Sequence, residues 1–192
     1  MNKLYLNIYG YRELSKSIYH GCVKIPYFWI MEIMNHDKVI QKIKRMAFQI
    51  WEAHYDDAEI IIAGINTNGH LFAQLLSHYL DQISDLKIKS YRITLNPASP
   101  HTDPIEISPA RLPEGSHIIV TDDVANTGRT LFFACQPFLK SLPASLEAAV
   151  LVDRKHKAYP VKVDYMGLSL ATTLKEHIDV ILDGESYSAH LQ

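Results

Sequence analysis

Cysteine, glycine and long apolar runs are all scarce in this sequence. Two cysteines occur in 192 residues, Cys22 and Cys135, far apart and outside any CxxC spacing. That excludes a disulfide framework and a cysteine zinc site, and it fits a reducing cytoplasm. No apolar run approaches the roughly eighteen residues a membrane helix needs, and the best one, Phe28-Trp29-Ile30-Met31, ends on charge. The start, Met1-Asn2-Lys3-Leu4-Tyr5-Leu6-Asn7, offers no continuous apolar core for a secretory signal. An excess of one charge is missing too: 19 basic side chains face 21 acidic ones, for a formal net charge of −2. This balance argues against a highly basic nucleic-acid binder. The ten histidines show no HExxH or paired ligand spacing and read as scattered core and surface residues.

What remains is a composition of 47% hydrophobic and 21% charged residues, that of a globular domain long enough to bury its own core. Residues 1–33 hold five of the eleven tyrosines and no sustained period, so they are set apart as an extension of unassigned role. The folded domain is expected over 34–192. Asn35 or Asp37 caps an expected helix over 38–54, whose apolar positions Val39, Ile43, Ala47, Ile50 and Trp51 share one face. Ala58 to Ala63 is a β-branched run, as expected of a parallel strand buried on both faces. A loop, Ile65 to Gly69, leads into a second helix through Leu71, Phe72, Leu75, Leu76 and Leu80. Further strands are expected at 86–95, 117–121, 146–152, 161–166 and 180–182. A helix is expected from Arg129 to about Leu139. Strands alternating with helices give an α/β domain with a mostly parallel sheet. Five of the nine prolines fall within 97–113, which excludes a regular element there and leaves either a lid or a passive loop.

Chemistry concentrates in Ile118-Ile119-Val120-Thr121-Asp122-Asp123-Val124-Ala125-Asn126-Thr127-Gly128-Arg129-Thr130. A loop between a parallel strand and a helix offers free backbone N–H groups and the positive end of a dipole, which together suit a phosphate. Thr127 and Thr130 add hydroxyls, and the adjacent carboxylates of Asp122 and Asp123 can accept hydrogen bonds from two neighbouring hydroxyls. This segment resembles the phosphoribosyl-diphosphate signature of the type I phosphoribosyltransferase family. A second stretch, Ala149 to Lys157 followed by Tyr159-Pro160-Val161 and Asp164-Tyr165-Met166-Gly167, is similar to the pyrimidine-operon attenuators that also carry uracil phosphoribosyltransferase activity. The resemblance covers about 35–185.

The resemblance implies a parallel sheet flanked by helices, with a small hood and a flexible flap, and transfer of ribosyl-5-phosphate from phosphoribosyl diphosphate to a nucleobase, uracil first. It implies that Asp122 and Asp123 hold the ribose hydroxyls and a magnesium ion, and that Ala125, Asn126, Thr127, Gly128, Arg129 and Thr130 hold the 5′-phosphate. Thr67, Asn68, Gly69 and Arg154 would meet the pyrophosphate, and Tyr165 and Met166 the base. By residue type alone, a core aromatic is the better reading of Tyr165. Three departures stand out. Asn68 replaces an arginine of the relatives, Leu168 replaces a lysine, and no basic side chain lies between Arg92 and Arg111 on the flap. A homo-oligomer is expected. The alternative is an RNA-binding attenuator or nucleotide sensor, for which the basic groups Lys42-Lys44-Arg45, Lys87-Lys89-Arg92 and Arg154-Lys155-Lys157 would have to form one surface.

Overall fold

A computed structural model describes residues 31–171 and 176–192. The tyrosine-rich stretch therefore lies, up to residue 30, outside the described residues. The described chain runs β1 (Met31–Met34), α1 (His36–Ala53), β2 (Glu59–Ile65), α2 (Asn68–Ile83), β3 (Lys87–Thr94), β4 (Glu106–Ser108) and β5 (His117–Ala125). It continues with α3 (Arg129–Ala134), a 3-10 helix (Gln136–Ser141), β6 (Ser145–Arg154), β7 (Tyr165–Leu170), β8 (Ile178–Ile181) and β9 (Ser188–Leu191).

Six strands form the central sheet in the order β4-β3-β2-β5-β6-β7, parallel except for the antiparallel edge strand β4. Alternation along β2 explains its double burial. Ile60 and Ile62 pack towards α1 and α2, with Ile43, Ile50, Phe72 and Leu76, while Ile61, Ala63 and Ile65 pack towards Leu131 and Phe138 on the other face. At roughly 1.5–3 kcal/mol per buried aliphatic side chain, this strand contributes heavily to the fold. Asn35 is the cap of α1, its side-chain oxygen accepting from the Lys38 N–H at 3.1 Å.

From β2 the chain steps outward to β3, then returns to the other side of β2 with β5 before moving on to β6 and β7. The direction of winding thus reverses between β2 and β5. In open parallel sheets the crevice beyond the carboxyl ends of such neighbours receives ligands.

Several expected elements shift. The strand expected at 117–121 continues to Ala125, because Asp122 and Val124 go on pairing with Val150 and Val152 of β6. Asp122 and Asp123 thus sit in the strand and not in the loop. The strand expected at 161–166 begins at Tyr165. Val163 is buried in the α3-side cluster but lies before the strand, so the apolar run there reflects a packed connection. The third helix ends at Ala134 and tightens into the 3-10 helix. The proline-rich segment does contain a regular piece, β4, which pairs Glu106–Ser108 with Arg92–Thr94 at the sheet edge.

The second sheet, antiparallel with order β1-β9-β8, unites the first and last described strands. Met34 is 2% exposed in the main core, and β1 lies across the boundary expected before residue 34. Tyr187 ties this sheet to α1: its ring stacks on His36 with centroids 4.9 Å apart, and its N–H donates to His36 Nδ1 at 3.1 Å.

Candidate active site

The crevice between β2 and β5 is made by two loops that touch. On one side the chain leaves β2 through Asn66, whose φ of 50° is left-handed, and enters α2 at Asn68. The Asn66 side-chain oxygen accepts the Leu95 N–H at 3.1 Å, fixing the turn to the end of β3. Gly69 is required by close approach: a Cβ there would lie 2.5 Å from the Thr121 carbonyl oxygen and 3.2 Å from Asp122 Cα. In return the buried Thr121 hydroxyl donates to the Gly69 carbonyl at 2.9 Å. The N-terminus of α2 is thereby held against the strand that delivers the acids.

On the other side, Asp122 and Asp123 lie just past Thr121, where β5 stops pairing with β2 while continuing beside β6 to Ala125. The Asn68 side-chain amide donates to Asp123 Oδ2 at 2.8 Å, while Asp123 Oδ1 accepts the Val124 N–H at 2.8 Å. The residue that departs from the arginine of the resembling family therefore bonds directly to the acidic pair. Burial first, then the Asp123 charge, push the Asp122 carboxyl well above the usual carboxylate range. A cation beside the pair relieves both effects. Two carboxylates at an open crevice are the hard oxygen donors that magnesium accepts while keeping several waters, so this pair fits such an ion.

The loop 125–130 follows immediately. Gly128 has φ of 80° and caps α3, a conformation that disfavours a side chain. Together with Asp122 and Leu131, residues 124–130 line a small concavity. Asn126, Thr127 and Arg129 are exposed, and the Arg129 guanidinium donates to the Pro97 carbonyl at 2.9 Å, joining this loop to the proline-rich segment. Arg154, at the end of β6, donates to the Asn126 side chain at 3.0 Å and to the Glu176 carbonyl at 3.2 Å. Thr67, Asn68 and Gly69 face the acids across the crevice, and Arg154 stands behind the 125–130 loop.

Tyr165 departs from the base-facing position. Its ring is 7% exposed in the core on the α1 and α2 side, and its hydroxyl donates to Glu147 at 2.7 Å, toward the opposite end of the sheet from the acids. It is the core aromatic that its residue type favoured. Met166 is partly buried against the α3-side cluster, and its carbonyl accepts from Arg45 of α1. Arg45 also donates to the Gly167 carbonyl at 3.2 Å, so this cation satisfies the outer edge of β7.

Lys157 escaped the sequence reading of the site. Its ammonium ion-pairs with Asp153 and donates to the Ala125 carbonyl at 3.2 Å, and the Ala158 and Tyr159 N–H groups donate to the Thr127 carbonyl. The 155–159 turn thus props the 125–130 loop from below. The signal was present as the basic run Arg154 to Lys157 directly after a buried strand. Lys87 and Lys89 pair with Glu59 at the start of the sheet, whereas Arg154 and Lys157 stand at its other end.

The phosphoribosyl transferase domain family matches residues 30–185. A bifunctional protein PyrR from Streptococcus thermophilus is 32% identical over 160 residues, covering 79% of this chain and 89% of its own. A pyrimidine operon regulatory protein from Lactococcus lactis is 31% identical over 156 residues, covering 78% and 88%. The hypoxanthine phosphoribosyltransferase of Trypanosoma cruzi shares the fold, with a TM-score of 0.64 at 17% identity over 72% of this chain and 81% of that one. The acid pair at the end of β5, the two loops that meet beside it and a match over most of the length agree: the chain belongs to the phosphoribosyl transferase domain family, and is a glycosyltransferase of the pentosyl-transferring kind.

Proposed function

We propose that this protein transfers ribosyl-5-phosphate from phosphoribosyl diphosphate to uracil and releases pyrophosphate, in the cytoplasm and as a homo-oligomer. The observation that carries the reading is the bond from Asn68 to Asp123, which joins the two loops into one crevice with an acidic centre between them. In this reading the N–H groups of 125–130 and the hydroxyls of Thr127 and Thr130 hold the 5′-phosphate, Asp122 and Asp123 accept the ribose hydroxyls, and the start of α2 at Thr67 to Gly69 meets the pyrophosphate. A magnesium ion held by Asp122 and Asp123 would neutralise pyrophosphate oxygens as they leave.

The bond from the anomeric carbon to pyrophosphate breaks as the bond to the base nitrogen forms and that nitrogen's proton passes to water, through an oxocarbenium-like state. The chain's own contribution is to fix the ribose and to stabilise charge on the leaving group. Asn68 supplies an uncharged donor where an arginine would add a charge-assisted bond, so slower turnover than in an arginine-bearing relative is the consequence. With Tyr165 committed to the core, the base is assigned to the carboxyl end of β7, where Leu168 and Leu170 are partly exposed beside Asp153 and Arg154. The segment 96–113 acts as the flap that keeps water from the intermediate. Its tie to Arg129 favours this role.

Pyrophosphate release from phosphoribosyl diphosphate, followed with a panel of nucleobases, tests the reading. Uracil should turn over faster than the purines. Donor binding without turnover on any base would favour the second reading, a regulator that keeps the pocket as a sensor. The name of the Lactococcus lactis relative supports that reading. Salt-dependent binding to pyrimidine-operon leader RNA is its positive test.

A further inference from the structure

The opposite end of the central sheet carries a second constellation that the transferase site does not use. His54 follows α1 and is 3% exposed. Its Nδ1 lies 2.7 Å from Asp57 Oδ2, and its Nε2 lies 3.2 Å from Glu147 Oε2. His117, the first residue of β5, points its Nε2 at the other oxygen of the same Asp57 carboxylate, 3.3 Å away. Its Nδ1 lies 3.0 Å from the Ser145 hydroxyl. The two imidazoles meet edge to face with centroids 5.5 Å apart. One ligand atom each from His54, Asp57 and His117 falls within 4.8 Å of the others, a convergence that no other set of His, Cys, Asp or Glu side chains reaches among the described residues.

We propose that His54, Asp57 and His117 form a binding site for a divalent transition metal of the zinc class, distinct from the acid pair at the other end of β5. The donor set decides the class. Two imidazoles and one carboxylate suit zinc and its neighbours, whereas magnesium takes oxygen ligands. With metal–ligand bonds of about 2.0 Å, tetrahedral ligand atoms stand about 3.3 Å apart. Asp57 lies 2.7 Å from His54 through one oxygen and 3.3 Å from His117 through the other, and with all three donor atoms within 4.8 Å of one another, closing on one ion draws the widest pair together by up to about 1.5 Å.

The outer contacts fit as well. Histidines that bind a metal through one nitrogen are oriented by a hydrogen bond from the other, most often to a carboxylate, carbonyl or hydroxyl-bearing partner. Here His54 Nε2 is met by Glu147, which the Tyr165 hydroxyl holds at 2.7 Å, and His117 Nδ1 is met by Ser145. Asp57 and His117 are 26% and 31% exposed, leaving a face open for ion entry and a fourth ligand. The three ligands come from the end of α1, the turn before β2 and the first residue of β5. Five residues of strand, roughly 17 Å, separate His117 from Asp122. The ion would clamp the helix end to the sheet without touching the reacting groups.

The test is calorimetric titration of zinc into the full chain at neutral pH in excess magnesium, with cobalt as a spectroscopic probe. A single equivalent should bind, and cobalt should give the intense visible bands of a four-coordinate site. At a hundredfold excess over Kd the thermal midpoint should rise by roughly 5 °C. His117→Gln and Asp57→Asn should each weaken zinc at least tenfold and abolish the cobalt bands. Both residues are partly exposed, so these variants should fold where one at the buried His54 is at risk. Asp122→Asn with Asp123→Asn should leave zinc binding unchanged. Absence of saturable zinc binding, or equal affinity in the wild type and both site variants, overturns the proposal and reduces the cluster to a hydrogen-bonded support for β5 and β6. Loss of zinc in the Asp122 and Asp123 variant alone overturns it too, by placing the ion in the transferase crevice.

Discussion

The two ends of the central sheet are built from the same strands and treat charge in opposite ways. At the amino end, unlike groups meet. His54 lies between Asp57 and Glu147, its hydrogen bond to Glu147 raises its pKa above the usual histidine value, and the same bond lowers that of Glu147. Each group stabilises the charged form of the other. At the carboxyl end, like groups meet: Asp122 and Asp123 stand side by side, and burial with mutual repulsion disfavours the charge on Asp122. The first end pairs opposite charges with each other, whereas the second crowds like charges that a cation would relieve. Sites that must bind commonly sacrifice stability in this way.

Breaking the carboxyl end should therefore cost function and spare the fold. Replacing Asp122 and Asp123 together by Asn removes the charges that hold ribose and cation. Donor affinity or turnover should fall at least tenfold, about 1.4 kcal/mol. Removing two crowded carboxylates should leave the thermal midpoint unchanged or raise it. Unaltered donor binding and rate in this variant would remove the site from the end of β5.

Gly69→Ala sharpens the comparison, because here the carboxyl end has a purely structural demand. The new methyl group meets the Thr121 carbonyl, backbone that has little room to yield, so a loss of roughly 1–3 kcal/mol is expected by chemical denaturation. An unchanged midpoint would mean that α2 and β5 are not in register as described.

Much of this end was legible in the sequence. The β-branched runs of β2 and β5 declare strands buried on both faces, and the two acids before an Asn-Thr-Gly turn announce their chemistry locally. What escaped depends on partners distant in sequence. Nothing local marks Met31–Met34 as a strand, because its partner is Ser188–Leu191 near the far end of the chain. The three-residue β4 is defined by the β3 edge it covers and hides among prolines. His54 and His117 lack any spacing rule because a helix, three strands and a long loop separate them. Tyr165 sits in a stretch that resembles a base-binding segment, yet its ring packs on the helix-covered face and its hydroxyl turns to Glu147, a contact that only the strand register reveals.

At the amino end the signs reverse, and structure should suffer where activity does not. Tyr165→Phe keeps the ring and deletes one donor to Glu147, costing about 1 kcal/mol of stability. The KM for the base should not change. A KM that rises severalfold with unchanged stability would restore the base-facing role.

The effect furthest from both ends' function concerns Cys135, half-buried after α3. Burial pushes its thiol up to about 11. A raised pKa leaves little thiolate at neutral pH, so alkylation followed by peptide mapping should be roughly a hundredfold slower than for an ordinary thiol. It should quicken about tenfold per pH unit between about pH 8 and 10. Rapid labelling at neutral pH would show that this face opens.

Hydrogen exchange with and without phosphoribosyl diphosphate and magnesium compares the two ends in one experiment. Amides of 66–70 and 122–130 should gain protection, joined by 96–113 as the flap orders, while those of 54–60, 117–119 and 145–148 stay as they were. Protection confined to the amino-end segments, or absent from 122–130 while the donor is bound, would contradict the assignment of the site to the carboxyl end of β5.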